Sequence, residues 1–239
     1  MSARPPSLLR LAVLVAGLLA VALIRAACGS GDGGVPSPPP TAQGAGGGAA
    51  TSSPQPTATA EDCGLTVGTT EGPYYVTGTP ELKDGELNYS GLSGDPIRIS
   101  GHVYAGEDAS SPIAGAKIEI WQTDADGAYH PEGNGDVSQY GEDEVALRGY
   151  VVSDETGAYS FESVYPGYYE GRVRHIHVRA SADGLDAVAT QIIVPSKPGD
   201  GTTSETDGIA ESLPACNFVE FAEQDGVQAG TFDFHLEAD

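Results

Sequence analysis

Short segments in which apolar and polar residues alternate recur from residue 96 onward, and they constrain the fold of this chain more than any other feature. Alternation with a period of two is typical of β-strands with one buried face, and Gly, Pro, Asp and Asn separate the segments as turn residues do. The pattern predicts an all-β domain, an antiparallel β-sandwich of the prealbumin or immunoglobulin-like type with long loops. The predicted strands are 96–105, 116–124, 147–154, 157–164, 172–180, 187–194 and 230–238, with 208–217 irregular or briefly helical and 154–157 the tight turn of a hairpin.

The N-terminus has the composition of an export signal. Arg4 and Arg10 lead into an apolar run over residues 11–24, which is too short to span a bilayer comfortably and is followed by small residues. We therefore predict a signal peptide over residues 1–27 and an exported protein.

The cysteine that follows the signal raises the question of a lipid anchor. Cys28 stands where a bacterial lipoprotein is cleaved and lipidated, although Arg25 occupies a position that is usually aliphatic in such signals. The prediction is a lipoprotein on the extracellular face of the cell membrane, with plain secretion as the alternative. Residues 28–60 are rich in Gly, Pro, Ser and Thr and predict a flexible tether, which leaves residues 61–239 as the folded domain.

The net charge limits the kinds of binding partner that are expected, and the cysteine content bears on the redox compartment. The chain carries 34 acidic against 11 basic residues, for a formal net charge of −23, so nucleic acid and anionic membrane surfaces are poor partners because of long-range repulsion, and contact with a membrane is expected only through the lipid on Cys28. The oligomeric state stays open, with a homodimer as one alternative. In an oxidising compartment Cys63 and Cys216 are expected to form one disulfide, and two buried free thiols are the alternative.

Two histidines one residue apart raise the question of a metal. In a β-strand the side chains of His175 and His177 point to one face and Ile176 to the other, a spacing that suits a shared ion but also occurs on ordinary strands. Tyr168 and Tyr169 lie six or seven residues upstream, close enough for one phenol to fold back toward the imidazoles. A phenolate is a hard anionic donor typical of ferric sites, so the combination of Tyr and His points to Fe(III).

Three longer motifs resemble those of the intradiol ring-cleavage dioxygenases, the family of protocatechuate 3,4-dioxygenase and catechol 1,2-dioxygenase. The resemblance extends over most of the predicted domain and is closest to exported single-domain bacterial members. The motifs are WQTDADGAY (121–129), GYVVSDETGAYSFESVYPGYY (149–169) and RVRHIH (172–177).

The resemblance implies a set of site residues and a chemistry. It implies Fe(III), no organic cofactor, and cleavage of a small-molecule catechol by O2 between its two hydroxylated carbons to a cis,cis-muconate-type product. The implied iron ligands are Tyr129, Tyr169, His175 and His177.

Further roles follow from the same resemblance. Tyr169 is expected to leave the metal and take up a substrate proton, Arg172 to stabilise the carbanion-like substrate, and Gln191 to hydrogen-bond nearby. Tyr74 and Tyr75 are expected to contact the substrate or to form a structural latch. One departure is Val173, which stands where the family usually has proline.

A second class of function stays open at this point. S-D-x-x-G-x-Y-x-F hairpins also occur in transthyretin-like and adhesin-like repeats, so a non-catalytic β-sandwich binding module on a surface lipoprotein is the alternative. We expect Trp121 to pack in the core, His102 and His235 to be strand residues, and Arg174 and Arg179 to be ordinary surface charges.

Overall fold

The computed structural model describes residues 63–169 and 171–237, and within these ranges the fold is all-β with short 3₁₀ turns. The strands are β1 Val76–Thr77, β2 Pro96–Ala105, β3 Lys117–Trp121, β4 Gly135–Asp136, β5 Arg148–Val152, β6 Ala158–Val164, β7 His175–Ser181, β8 Val188–Ile193, β9 Ala222–Gln224, β10 Val227–Thr231 and β11 Phe234–Leu236. The 3₁₀ turns are Lys83–Gly85, Val137–Gln139, Glu142–Glu144, Ala210–Ser212 and Ala215–Asn217. Within the described ranges, no helix has the length and apolarity needed to cross a membrane. The predicted signal peptide, tether and Cys28 lie outside the described residues.

One sheet is fully antiparallel and has the strand order β5-β3-β7-β8. Its inner face contributes Ile118 and Ile120 of β3, Ile176 of β7 and Ile192 of β8 to the main core. Because side chains alternate across a strand, the residues between these isoleucines project from the opposite, outer face.

The second sheet is built around β2 and is of mixed direction. Strand β6 pairs with β2 antiparallel, while β10 and then β11 pair in parallel with its other edge, and β9 pairs antiparallel with β10. The predicted sandwich is confirmed, but its strands are not all antiparallel. The segment 230–238, predicted as one strand, is two strands with a break at Phe232 and Asp233. Gly101 faces this break, where a Cβ would collide with the Phe232 carbonyl.

The core lies between the two sheets and is formed by apolar side chains from both. Tyr159 and Phe161 of β6 are buried in it, as the alternation predicted. The turn from Asp154 to Gly157 joins β5 to β6, but these strands belong to different sheets, so the prediction of a hairpin was wrong. The same D-x-x-G turn serves a crossover between sheets because its hydrogen bonds are local and do not specify what pairs beyond it.

A disulfide joins the start of the described chain to the segment before β9. Cys63 is bonded to Cys216, with their Cα atoms 6.2 Å apart, which confirms the predicted pairing. The segment after Cys63 continues along both sheets, with the Thr66 N–H donating to the His235 carbonyl and the Thr69 N–H to the Ala189 carbonyl. The start of the domain is thereby fixed beside the site described next.

Candidate metal centre

Four side chains that are far apart in sequence form one row across the outer face of the antiparallel sheet. Arg148 of β5 is in register with Trp121 of β3, Trp121 with His177 of β7, and His177 with Gln191 of β8. Residues directly opposite in an antiparallel pair share a face, so the register alone brings these groups together. All four are at most 2% exposed, because long loops cover this face.

The two histidines meet through their Nε2 atoms. His175 and His177 are both buried, and their Nε2 atoms are 3.2 Å apart. The Nδ1 atom of His175 lies 2.6 Å from the Val173 carbonyl, which can only accept, so Nδ1 carries the hydrogen and Nε2 presents a lone pair. Trp121 stacks on the His177 ring at 5.0 Å between centroids and 9° between planes. Trp121 is therefore buried, as predicted, but it packs on a candidate ligand at the outer face and not in the main core between the sheets.

Two tyrosines complete the cluster. The Tyr169 hydroxyl is 3.3 Å from His175 Nε2, and the Tyr129 ring lies edge-on to the Tyr169 ring at 5.9 Å. The Tyr129 hydroxyl is buried without a partner in hydrogen-bond geometry among the described residues. Tyr168, the neighbouring alternative, bonds instead to the Thr202 hydroxyl at 3.0 Å. The structure thus brings together the four residues predicted as ligands.

Glycines allow the two tyrosine-bearing loops to touch. Gly127, with a φ of +91°, lies against the carbonyl of Tyr168, and a Cβ on it would collide with that oxygen. Gly167 lies equally close to the backbone of the opposite loop and donates its N–H to the Asp124 carbonyl at 2.7 Å. The glycines of the two motifs are therefore required for the approach of Tyr129 to Tyr169.

The donors fit a metal ion. Two ligands bound at about 2.1 Å on adjacent positions of one ion lie about 3.0–3.4 Å apart, as the Nε2 atoms and the Tyr169 hydroxyl do. No group of three His, Cys, Asp or Glu side chains suited to a metal occurs in the described ranges, so an ion here needs the phenols. Two phenols and two imidazoles form a hard donor set, which suits a trivalent iron better than the thiolate-preferring ions.

Burial keeps these donors neutral in the metal-free protein. Burial and the positive charge of Arg172 lower the pKa of His175 to about 4, and burial with the nearby His175 holds the pKa of His177 well below its usual value. Burial raises the pKa of both Tyr129 and Tyr169, and for Tyr169 the positive charge of Arg172 partly offsets the effect. Neutral imidazoles are ready to bind a metal, whereas the phenols must each release a proton to do so.

Arg172 and Gln191 stand beside the cluster as one hydrogen-bonded unit. Arg172 Nη2 donates to Gln191 Oε1 at 2.6 Å, and Arg172 Nε donates to Asp207 Oδ2 at 2.9 Å. The Gln191 Nε2 atom is buried without a partner among the described residues, which is the condition of a donor that a bound ligand satisfies. Val173 donates its N–H to the same Asp207 oxygen at 2.9 Å, a bond that a proline at this position could not make.

The two aromatic residues of the segment before β1 have different surroundings. Tyr74 stacks on Tyr129 at 4.3 Å and 21°, so its ring lies at the site. Tyr75 donates its hydroxyl to Glu119 Oε1 at 3.1 Å and packs on Trp121 at 4.9 Å, with burial raising its pKa to about 12. Tyr74 therefore lies at the candidate site, and its contact with substrate stays a prediction, whereas the surroundings of Tyr75 are those of a latch.

Several residues at the site were missed or misread from sequence. Arg148, which is fully buried, donates to three backbone carbonyls, and Asp207 was not considered at all. Arg174 is not a surface charge, because it is mostly buried and paired through two nitrogens with Asp200 at 2.7 Å. Arg179 is half-buried and pairs with the buried Glu119 at 2.9 Å, so that prediction was also wrong.

Comparison with known proteins identifies the family of this chain. A family model described as Dioxygenase matches residues 70–234. The chain belongs to the intradiol ring-cleavage dioxygenase family. It is 32% identical over 166 residues to hydroxyquinol 1,2-dioxygenase of Rhodococcus opacus, an alignment that covers 62% of this chain and 52% of that protein. It is 30% identical over 169 residues to catechol 1,2-dioxygenase of Acinetobacter baylyi, covering 58% and 51%.

Solved structures of the family have the same fold. The dioxygenase domain of a dioxygenase carbohydrate-binding protein fusion from Streptomyces sp. SirexAA-E is 30% identical, with a TM-score of 0.59, over 73% of this chain and 99% of that one. This family member spans about half the length of the curated relatives that it matches.

Proposed function

We propose that this protein is an iron-dependent intradiol dioxygenase that cleaves catechols with O2 to cis,cis-muconate-type products. The observation that carries the proposal is the convergence of Tyr169, His175 and His177 donor atoms within 3.3 Å, beside the buried, unpartnered Tyr129 hydroxyl. A purely structural role does not account for the Tyr129 hydroxyl, which is buried without a partner among the described residues. A non-catalytic binding module would not favour it.

The residues present suit the needs of this reaction. Ferric iron held by the two phenolates and two imidazoles would draw electron density from a bound catecholate, so that its ring can react with O2. A catechol that binds through both oxygens must lose two protons; the Tyr169 phenolate would accept one of them, since its oxygen lies in the donor cluster, and solvent hydroxide would accept the other. The fixed charge of Arg172 is suited to stabilise the electron-rich ring, and Gln191 is suited to donate to one of its oxygens.

The covering segment points to a flat aromatic substrate. Tyr74 lies against Tyr129, and Gly72 lies over His177, where a Cβ would be 3.4 Å from the imidazole carbon. An aromatic ring bound here would meet the Tyr74 face, a favourable stacking arrangement. The chain's net charge of −23 favours neutral catechols over carboxylated ones, so catechol and hydroxyquinol are the first substrates to test.

Colour and oxygen consumption test the proposal. The full chain loaded with Fe(III) should show a visible tyrosinate-to-iron band that shifts when catechol is added, and should consume one O2 per catechol. Tyr169→Phe and His177→Ala should weaken or abolish both properties. Tyr165→Phe and His102→Ala, which change a Tyr and a His outside the cluster, serve as matched controls. A wild-type chain that stays colourless and retains no iron would support the binding-module alternative.

We also propose that the protein is exported and held at the extracellular face of the cell membrane through a lipid on Cys28. The apolar run before this residue supports the proposal, as does the Cys63–Cys216 disulfide, since disulfides persist in oxidising compartments. Metabolic labelling with a radioactive fatty acid in a bacterial host should mark the wild-type chain and spare Cys28→Ala. A wild-type chain that is released without label would indicate plain secretion.

A further inference from the structure

Asp207 lies in the long connection between β8 and β9, 35 residues beyond the arginine to which it is bonded. It is only 2% exposed, although the surface of this protein is strongly acidic and most of its carboxylates face solvent. A carboxylate this deeply buried needs a full set of donors, because removing its charge from water is costly.

The protein supplies those donors from two separate elements. Asp207 Oδ2 accepts from Arg172 Nε and from the Val173 N–H, both at 2.9 Å. Asp207 Oδ1 accepts from the N–H groups of Ile209 and Ala210 at 3.1 and 3.3 Å, at the start of a 3₁₀ turn. Burial alone would raise the pKa of Asp207, but the bonds from Val173 and Arg172 outweigh it and keep the pKa below its usual value. The carboxylate is therefore ionised and fixed from both sides.

The hydrogen bonds of Asp207 fix the segment that precedes β7 and leads into the candidate metal centre. Asp207 accepts hydrogen bonds from the side chain of Arg172 and from the backbone N–H of Val173. The carbonyl of Val173 in turn accepts from His175 Nδ1. Arg172 is also bonded to Gln191, so its guanidinium is fixed in its plane between two partners. A bond from Nε together with one from Nη2 leaves an arginine little rotational freedom.

We propose that Asp207 is the positioning residue for Arg172, fixing its guanidinium beside the four candidate iron ligands and setting the direction in which its charge acts. The role in turnover rests on the proposed dioxygenase function, whereas the positioning itself does not. Asp207 touches no ligand and is not a catalytic residue. It acts through Arg172.

The same segment before β7 offers a matched control for an experiment. Arg174 and Asp200 form a second, largely buried ion pair two residues along, with Nε and Nη2 of the arginine at 2.7 Å from the two carboxylate oxygens. Asp207→Asn and Asp200→Asn are the same chemical change in similar surroundings. Only the first pair includes the arginine beside the ligand cluster, so only its loss should affect turnover.

The kinetic arm of the test is a double-mutant cycle on the iron-loaded full chain. Asp207→Asn should lower kcat by about 10- to 100-fold with little change in KM, whereas Asp200→Asn should leave kcat within about twofold. Because Asp207 acts through Arg172, Arg172→Ala combined with Asp207→Asn should be no slower than Arg172→Ala alone. Multiplicative losses in the double variant would overturn the proposal.

The spectroscopic arm does not depend on activity. In the metal-free full chain the Arg172 Nε–H should give a resonance with slow solvent exchange, and Asp207→Asn should accelerate this exchange by about tenfold or more, since a neutral amide oxygen binds the charged donor more weakly. The Arg174 Nε–H should be unchanged in this variant. Exchange at Arg172 that is the same in wild type and Asp207→Asn would refute the positioning role. A wild-type chain with protected Arg172 and no turnover would instead refute the proposed function.

Discussion

The guanidinium of Arg148 lies 5.6 Å from the centroid of the Tyr129 ring, and among the described residues no carboxylate pairs with it. Its donors go to the backbone carbonyls of Tyr74, His130 and Pro131, with Nε to His130 at 2.7 Å and Nη2 to Pro131 at 2.9 Å. Burial lowers the pKa of Arg148 to about 10, so the group stays charged at neutral pH. One buried cation thus connects the covering segment and the Tyr129 loop to the start of β5.

Replacing Arg148 by Met should destabilise the protein more than an ordinary arginine substitution does. Three buried carbonyls would lose their donors, and each loss should cost about 1–3 kcal/mol of stability. Part of this cost is offset because Met, unlike Arg, has no charge whose burial is unfavourable. We expect the free energy of unfolding to fall by roughly 3–5 kcal/mol in urea titrations of the metal-free full chain. Arg98→Met, which breaks the half-exposed pair with Glu162, should cost less than about 1 kcal/mol. Equal losses in the two variants would contradict the assigned role of Arg148.

Most of the strands could be predicted because the alternation of apolar and polar residues that marks a strand lies within the strand itself. The alternation over β2 gave its bounds correctly, since a strand with one face in the core needs an apolar residue at every second position. The break between β10 and β11 could not be predicted, because it depends on contact with Gly101, more than a hundred residues away. Direction of pairing is likewise a property of the whole chain, so the parallel edge of β2 was missed.

The candidate site divides in the same way. The histidines lie on one strand, and their common face follows from spacing. Proximity indicated Tyr168 or Tyr169, while the choice of Tyr169 and the inclusion of Tyr129 came only from the longer motifs. Arg148 and Asp207 were missed because strand register and a distant loop place them, and neither has a local signal. Arg174 was misread for the same reason, since its partner Asp200 lies 26 residues away in an irregular segment.

Tyr74 and Tyr75 should differ in what their removal changes. Tyr74→Ala removes a ring that stacks on Tyr129, and should raise KM for catechol by about tenfold, or about 1.4 kcal/mol of binding, with little effect on unfolding. Tyr75→Ala removes the bond to Glu119 and the packing on Trp121, and should lower the free energy of unfolding by about 2 kcal/mol. Steady-state kinetics and urea titration on both variants check this. A raised KM in Tyr75→Ala without lost stability would show that Tyr75 contacts the substrate.

Acid should destabilise the metal-free protein between pH 6.5 and about 4. The unfolded imidazoles bind protons near pH 6.5, whereas the folded pKa of His175 is about 4 and that of His177 also lies well below 6.5. In this window the unfolded state binds more protons, so stability rises with pH and is lost, on the order of a few kcal/mol, as pH falls. Asp200 and Asp207 have pKa values held below the usual 3.8, so their contribution is lost only at lower pH.

The source of this pH dependence can be assigned with variants. Urea titrations of the metal-free full chain at pH 7.5, 6.5, 5 and 4 should give a steep loss for wild type and a much shallower one for the His175→Gln, His177→Gln double variant. His102→Gln, on an exposed part of β2, should retain the wild-type slope. A double variant that loses stability as steeply as wild type would place the titrating groups elsewhere.

Reduction of the Cys63–Cys216 disulfide, which lies close to the candidate site, should lower the stability of the domain. Cys216 lies in the 3₁₀ turn Ala215–Asn217, and Asn217 donates its side-chain amide to the backbone carbonyl of Gln191 at 2.7 Å. The bond to Cys63 closes a loop of 153 residues, and its loss should lower the free energy of unfolding by about 2–4 kcal/mol. The measurement is urea titration with and without reductant in a Cys28→Ala background, where only this pair remains. The Cys63→Ser, Cys216→Ser variant should have the same urea midpoint as the reduced protein, and reductant should not change it. An unchanged midpoint on reduction of the parent would contradict the prediction.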